Sequence, residues 1–359
     1  MDKETLSNYG WIVICTLVLA VMIALATPFG EYIKAGVWST TNGLNDTLNK
    51  NMEIAGLYND FGYSHEGEIP EGGIYQNPDG DEYDEKDPFP ETQDGDTYVY
   101  GNYKYTMVAS DTGWWARAIK SDVADTVYSS PLTTINGYNV INLVGAFGGF
   151  KTPFKLADDF KIPKTVTRCQ RMFANAEGLT ELPDNFVIPD NVEMAFGMFE
   201  KCINLKKLPN NFRFNKNITD LHWFFKDCRS LQELPDGLTF ENTSVDNLVG
   251  AFSHCTSLKT LPESFKLPQT ENCTIQGMFA ECTSLEKLPD NFVIPSTVCS
   301  MYCTFKDCTN LSDTITINAA PGSYSECFAG TVQPIIITGS SPTLQEIAAT
   351  ATNGNVTVK

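Results

Sequence analysis

Residues 192–214 read VEMAFGMFEKCINLKKLPNNFRF. An aromatic at Phe199 is followed by Cys202 three residues on and Leu205 six on. The pair Leu208-Pro209 comes next, then the alternating triplet Phe212-Arg213-Phe214. The same order recurs along the chain. Phe147, Phe173, Phe199, Phe225, Phe252, Phe279 and Phe305 succeed one another at steps of 26 or 27 residues, and Phe328 follows after 23. Leu179, Leu205, Leu231, Leu258, Leu285 and Leu311 keep the offset of six. Leu-Pro pairs stand at Leu182, Leu208, Leu234, Leu261 and Leu288, and the triplets begin at Phe160, Phe186, Phe212, Leu238, Phe265, Phe292 and Ile315. So many positions agreeing at one period define a repeat array.

A unit of this length cannot bury its own apolar face, but stacked units share one continuous core. Each triplet is expected to be a short strand with its first and third side chains inward. The stretch before each aromatic, such as 192–199, is expected to be a helical or 3₁₀ return. Leu-Pro sits at a corner, where the missing N–H does no harm. The expected fold is therefore an α/β repeat solenoid of leucine-rich-repeat type, with a parallel strand ladder, short helical returns and an N-terminal transmembrane helix.

The motif Met/Ala-Phe-x-x-Cys-x-x-Leu, followed by a short strand, resembles the BspA-type leucine-rich-repeat surface proteins of bacteria. Residues 198–205 (MFEKCINL) and 278–285 (MFAECTSL) carry the likeness, as do the terminal segments 315–321, 324–330 and 335–339. The resemblance covers roughly residues 97–359 and implies an extracellular, non-enzymatic and adhesive protein. Steps of 26–27 residues exceed the family's shorter repeat, with the extra residues at the Leu-Pro-Asp-Asn corner.

Outward from the repeats, Thr97–Met107 alternates around Gly101-Asn102, the pattern of a β-hairpin, and Trp114–Ile119 offers a third strand. At the N-terminus residues 9–29 carry no charge. A helix of that length spans about 30 Å, one hydrocarbon core. Ala24-Leu25-Ala26 leaves a cleaved signal peptide as an alternative, although Asp2 and Glu4 make a poor basic flank for one. The expected divisions are an anchor at 1–30, an amphipathic helix at 31–58, an acidic flexible linker at 59–96, a β-hairpin cap at 97–145, repeats at 146–330 and a C-terminal cap at 331–359.

A net charge of -19 argues against a nucleic-acid partner, which needs a basic footprint. Thirteen acidic residues against Lys86 fall between Asp60 and Asp96, a composition typical of solvated chain. Asp79–Asp87 lacks the glycine and the third odd-position oxygen of a calcium loop, since Tyr83 sits there.

Eleven cysteines include Cys202, Cys228, Cys255, Cys282 and Cys308 at one repeat position, where another coil has Ala176. Interchange with alanine marks a small core-filling residue and not a ligand or a disulfide. Cys273 and Cys299 share a second repeat position. The three histidines have no metal spacing, and no nucleophile elbow, phosphate loop or dinucleotide fingerprint occurs. No catalytic, cofactor-binding or metal-binding residue is expected.

The outward middle residues of the triplets are the candidate partner-binding face: Lys161, Val187, Arg213, Thr239, Lys266, Val293 and Thr316. They form a mildly basic column on an acidic protein. The expected function is a non-catalytic, membrane-anchored surface protein, single-pass through residues 9–29, whose extracellular repeats bind a protein or glycan. The alternative is a pilin-like subunit assembled through the N-terminal helix and processed at Gly10, although Cys15 stands where such proteins carry Glu.

Overall fold

A computed structural model describes residues 74–76, 82–83, 95–110, 113–120, 127–135 and 138–359. The expected anchor at 1–30, the amphipathic helix at 31–58 and most of the acidic segment lie outside the described residues. No helix among the described residues is long and apolar enough to cross a membrane.

The cap begins with β1 (Ile74–Gln76) and β2 (Glu82–Tyr83), two short strands inside the segment expected to be linker. The hairpin follows as β3 (Thr97–Tyr100) and β4 (Tyr103–Ser110), antiparallel about Gly101-Asn102, with β5 (Gly113–Lys120) beside β4. Next come β6 (Val127–Tyr128), β7 (Thr134–Ile135) and β8 (Tyr138–Asn142). The sheet order is β2-β1-β3-β4-β5-β8-β7, and β8 lies parallel to β5. The cap thus joins the repeats through backbone bonds. Its buried tyrosines also close the first coil. Tyr103 and Tyr128 meet Phe147 edge-on at 6.0 and 5.4 Å, and the Tyr103 hydroxyl donates to the Ser129 carbonyl at 2.6 Å.

The repeat elements are few: β9 (Lys155–Leu156), β10 (Cys273–Thr274), β11 (Val293–Ile294), β12 (Val298–Ser300) and β13 (Thr314–Ile317). The C-terminal end adds β14 (Ile335–Thr338), α1 (Leu344–Ala348) and β15 (Val356–Val358). There β11, β13, β14 and β15 form a parallel sheet, with Leu344 and Ile347 of α1 buried.

The fold is a β-solenoid with few helices, and two expectations change. No helix forms in the returns, so α/β becomes essentially all-β. The ladder that runs through every coil is also not on the triplets. It lies on the stretch before the aromatic, where single parallel bridges link Asn142, Arg168, Met194, Asp220, Asn247, Thr274, Ser300 and Ser323 in turn. The triplets carry strand only near the C-terminal end, at β11 and β13.

The physical reason is the backbone of the aromatic stretch. Arg171, Phe173 and Asn175 donate their N–H groups to Phe196, Met198 and Glu200 of the next coil, at 2.9, 2.8 and 2.7 Å. The intervening Met172, Ala174 and Ala176 close local turns onto Cys169, Arg171 and Phe173. The residues two before and two after each aromatic have positive φ in all eight coils, from Gly145 and Gly149 to Glu326 and Gly330. A left-handed residue breaks any helix, and for a non-glycine it costs roughly 1–2 kcal/mol. The bonds to the next coil hold Arg171, Trp223 and Asp227 in that conformation regardless.

Inside, the eight phenylalanines stack face to face, with centroids 5.0 Å apart at Phe147–Phe173 and 5.7 Å at Phe279–Phe305. At the triplet edge the Phe160, Phe186 and Phe212 rings lie 6.3 Å apart, a wider spacing than in the phenylalanine column. A second run of backbone bonds links the coils at the Leu-Pro stretch through Thr180, Lys206, Gln232, Lys259, Glu286 and Ser312. The repeat cysteines are buried free thiols. Cys202, Cys228, Cys255, Cys282 and Cys308 each donate to a carbonyl one coil back, from Phe173 to Phe279, at 3.0–3.2 Å.

Candidate functional site

The triplet residues alternate as their pattern predicts. Phe186 and Ile188 are buried, while Val187 between them is 55% exposed. Lys161, Arg213 and Lys266 are exposed, Val293 is 37% exposed, and Thr239 and Thr316 are half-buried. The column is not a row of available cations, however. The Arg213 guanidinium donates to the carbonyls of Asn210, Phe212 and Asp236 at 3.0, 2.7 and 2.8 Å. Lys266 donates to both carboxylate oxygens of Glu241 at 2.8 and 2.9 Å. Thr316 meets Thr338 at 3.3 Å, and the Thr239 hydroxyl accepts from the Glu241 amide at 3.2 Å. Most of this edge is occupied with bracing its own coils.

The hydrogen-bonded edge presents a different surface. Met194, 44% exposed, stands on the bridge column, and next to that column runs a row containing Phe196, His222, Val249, Gln276 and Tyr302. Phe196 and His222 stack at 4.5 Å with 10° between their planes. The His222 ring is fixed by Asp220, whose Oδ1 lies 2.7 Å from Nδ1. Partial burial, with Asp220 nearby, holds the Asp246 carboxyl above the usual range. Trp223 meets His222 edge-on at 5.3 Å, and its ring carries Lys226 Nζ at 4.6 Å and Arg171 Cζ at 5.9 Å.

Beyond Trp223 the face opens into a groove of about 190 Å³. Gly250 and Gly277 lie along it, Trp223 and Lys226 bound one side, Tyr302 and Cys303 the other, and Val249, Ser253, His254 and Gln276 complete it. The Tyr302 phenol is pushed up to about 12 by its hydrogen bond with Cys303 and by burial, so it stays protonated at neutral pH. Ser253 Oγ lies 2.8 Å from His254 Nδ1, and His254 Nε2 lies 3.1 Å from Glu281 Oε2. The order hydroxyl, imidazole, carboxylate is that of acyl-transfer enzymes, but the ring nitrogens are reversed, since there the hydroxyl meets Nε2 and the carboxylate Nδ1. Here the amides of Ser253, His254 and Cys255 donate to Gly250, Ala280 and Phe252, which leaves none of them to hold an oxyanion. The chain of contacts fixes Glu281 at the rim instead.

A larger depression of about 330 Å³ lies at the Leu-Pro edge among Thr180, Glu181, Lys206, Lys207, Gln232 and Glu233. Lys155 holds the Glu181 carboxyl below its usual range by a hydrogen bond of 2.7 Å. The residues around the depression are exposed and polar or charged, with no aromatic among them.

No cluster of three metal-capable side chains occurs among the described residues. Cys273 and Cys299 do not pair, because a register shift after Cys273 buries that thiol and turns Cys299 outward. Burial pushes the Cys169 and Cys282 thiols up to about 12, the behaviour of core residues and not of nucleophiles.

Reasoning from sequence missed Trp223, His254, Gly277 and Tyr302. The available signal was a column two residues before the aromatic that alternates large residues with glycine: Arg171, Gly197, Trp223, Gly250. A family model described as "Mycoplasma protein of unknown function, DUF285" matches residues 124–212 and again residues 213–318. No curated protein matches the chain.

Proposed function

The chain belongs to the DUF285 family, a family of repeats, and on that premise we propose that it is a non-catalytic binding scaffold displayed at the cell surface. Residues 9–29 anchor it, and the solenoid reaches outward to engage an extracellular protein or glycan. The resemblance to BspA-type surface proteins and the uncharged N-terminal run support this placement. The contact surface is the hydrogen-bonded edge. One observation carries that choice: its side chains stand on a ladder bonded from Asn142 to Ser323, so Phe196, His222, Trp223 and Tyr302 keep fixed relative positions. Fixed side chains lose little freedom on binding, which favours recognition over an extended face.

Protease treatment of intact cells tests the display. Release of a fragment that begins between residues 59 and 96 is expected. Full protection of that segment in intact cells, with cleavage only after lysis, would contradict an outward-facing repeat domain.

A further inference from the structure

We propose that the open position over Gly277 is a subsite for one uncharged sugar ring. The proposal rests on the reading of the hydrogen-bonded edge as the contact surface, and it names the ligand class for that edge.

The column two residues before the aromatic reads Gly145, Arg171, Gly197, Trp223, Gly250, Gly277, Cys303 and Glu326. All eight have positive φ. Because Arg, Trp, Cys and Glu occupy this conformation in four coils, the conformation alone does not demand glycine in the others. Two of the glycines have a steric reason. A Cβ on Gly197 would meet Arg171 Cγ at 3.1 Å, and one on Gly250 would meet Trp223 Cδ1 at 2.9 Å. Each lies beneath the large side chain of the coil before it. Gly277 has no such cover: a Cβ there would meet only Ala280 Cβ, at an ordinary 3.9 Å. Gly145 is also open, but it begins the column. Gly277 stands between Trp223 and Tyr302, and no packing contact requires its smallness. Its positive φ already favours glycine, and the lack of a side chain also leaves the backbone there open to close approach by a ligand.

The walls specify the ligand. At about 190 Å³ the groove is smaller than the roughly 300 Å³ at which drug-sized pockets begin, so it takes one ring at a time. The amides of Trp223, Gly250 and Gly277 already donate to Val249, Gln276 and Tyr302 at 2.8, 2.8 and 2.7 Å. A peptide adding itself as a strand finds no donors there. Recognition falls to side chains: aromatic surface from Trp223 and Tyr302 and the Gln276 amide line the groove, and the Glu281 carboxylate lies behind the lining residue His254. The Lys226 cation already lies against the Trp223 ring and the Glu281 carboxylate against His254, so neither charge is placed to select an ionic ligand. Aromatic surface for C–H faces, flanked by an amide for hydroxyls, is chemistry that suits a pyranose.

The test is saturation-transfer NMR on the full chain in a non-glycosidic detergent. The probes are the methyl glycosides of glucose, galactose, mannose and N-acetylglucosamine. At least one should bind saturably in the millimolar range, as suits a single shallow contact. Gly277→Arg should abolish that binding, because the new side chain fills the groove in a backbone conformation that Arg171 already tolerates. Trp223→Ala, which cannot block the site, should weaken binding by about fivefold or more. Circular dichroism and the melting curve confirm that each variant is folded. Absence of saturable binding by every glycoside, or equal binding in wild type and Gly277→Arg, overturns the proposal. Binding of a peptide in place of every glycoside overturns it too. Loss of cell binding on altering the bonded edge, with no glycoside bound, would overturn the sugar assignment and leave the scaffold reading standing.

Discussion

The indole of Trp223 lies over Gly250, close enough that a Cβ on Gly250 would come within 2.9 Å of Trp223 Cδ1. Two neighbouring coils therefore share one position, with the side chain supplied by the first and the space by the second. Gly250→Ala adds this clash to the strain of φ +58. The strain alone is worth about 1 kcal/mol. The measured loss should exceed that in wild type and shrink toward it in a Trp223→Ala background. A double-mutant cycle in urea measures the coupling, and simple additivity would mean the two residues do not share the position.

The phenylalanine column should carry much of the stability. Phe225 is fully buried, between Phe199 and Phe252 at 5.5 Å on each side. Phe225→Ala should cost about 3–5 kcal/mol, whereas Val187→Ala, on an exposed side chain, should stay within about 0.5 kcal/mol. Denaturant unfolding of both variants checks the contrast.

The thiols give a stability that depends on pH. Burial raises the folded-state values of Cys169 and Cys282 to about 12, against about 8.5 for an unfolded thiol. A raised value means the contribution is fully present below the unfolded value and is lost as pH climbs toward the folded one. Stability should fall between about pH 8.5 and 12, and Cys282→Ala should flatten part of that fall. Among the described cysteines of the native protein, a thiol reagent should modify the exposed Cys299 first and Cys303 after it, and reach the buried thiols only on unfolding.

The Cys228 thiol donates to the Phe199 carbonyl at 3.1 Å. Cys228→Ala removes the donor and a small volume, with an expected cost of about 1–3 kcal/mol. Ala176 fills the equivalent place in another coil without loss of the fold, so the variant should still fold cooperatively. Thermal unfolding measures the difference.

The period, the core and the hairpin cap were legible because apolar side chains announce burial. Phe199, Cys202, Leu205 and Leu208 are all inside. The placement of the ladder was not legible. Residues 192–199 look helical because Val192, Ala195, Met198 and Phe199 have helical spacing, and those four are buried. What breaks the helix is positive φ at Gly197 and Lys201, imposed by bonds to a coil 26 residues away. Nothing local to Lys201 encodes that. The partners of the triplet cations were hidden for the same reason. Arg213 and Lys266 look available in the chain, yet the fold supplies their partners from Asp236 and Glu241.

The most direct test of the scaffold reading compares the two edges of the solenoid. The full chain in lipid nanodiscs is titrated onto intact host and neighbouring bacterial cells. One variant alters the bonded edge (Met194→Glu, Thr274→Arg, Gln276→Arg) and the other the triplet edge (Lys161→Glu, Arg213→Glu, Lys266→Glu). The bonded-edge variant should lose about tenfold or more in affinity, equivalent to about 1.4 kcal/mol, while the triplet-edge variant stays near wild type. Loss confined to the triplet-edge variant, or no binding by the unaltered chain to any cell tested, would contradict it.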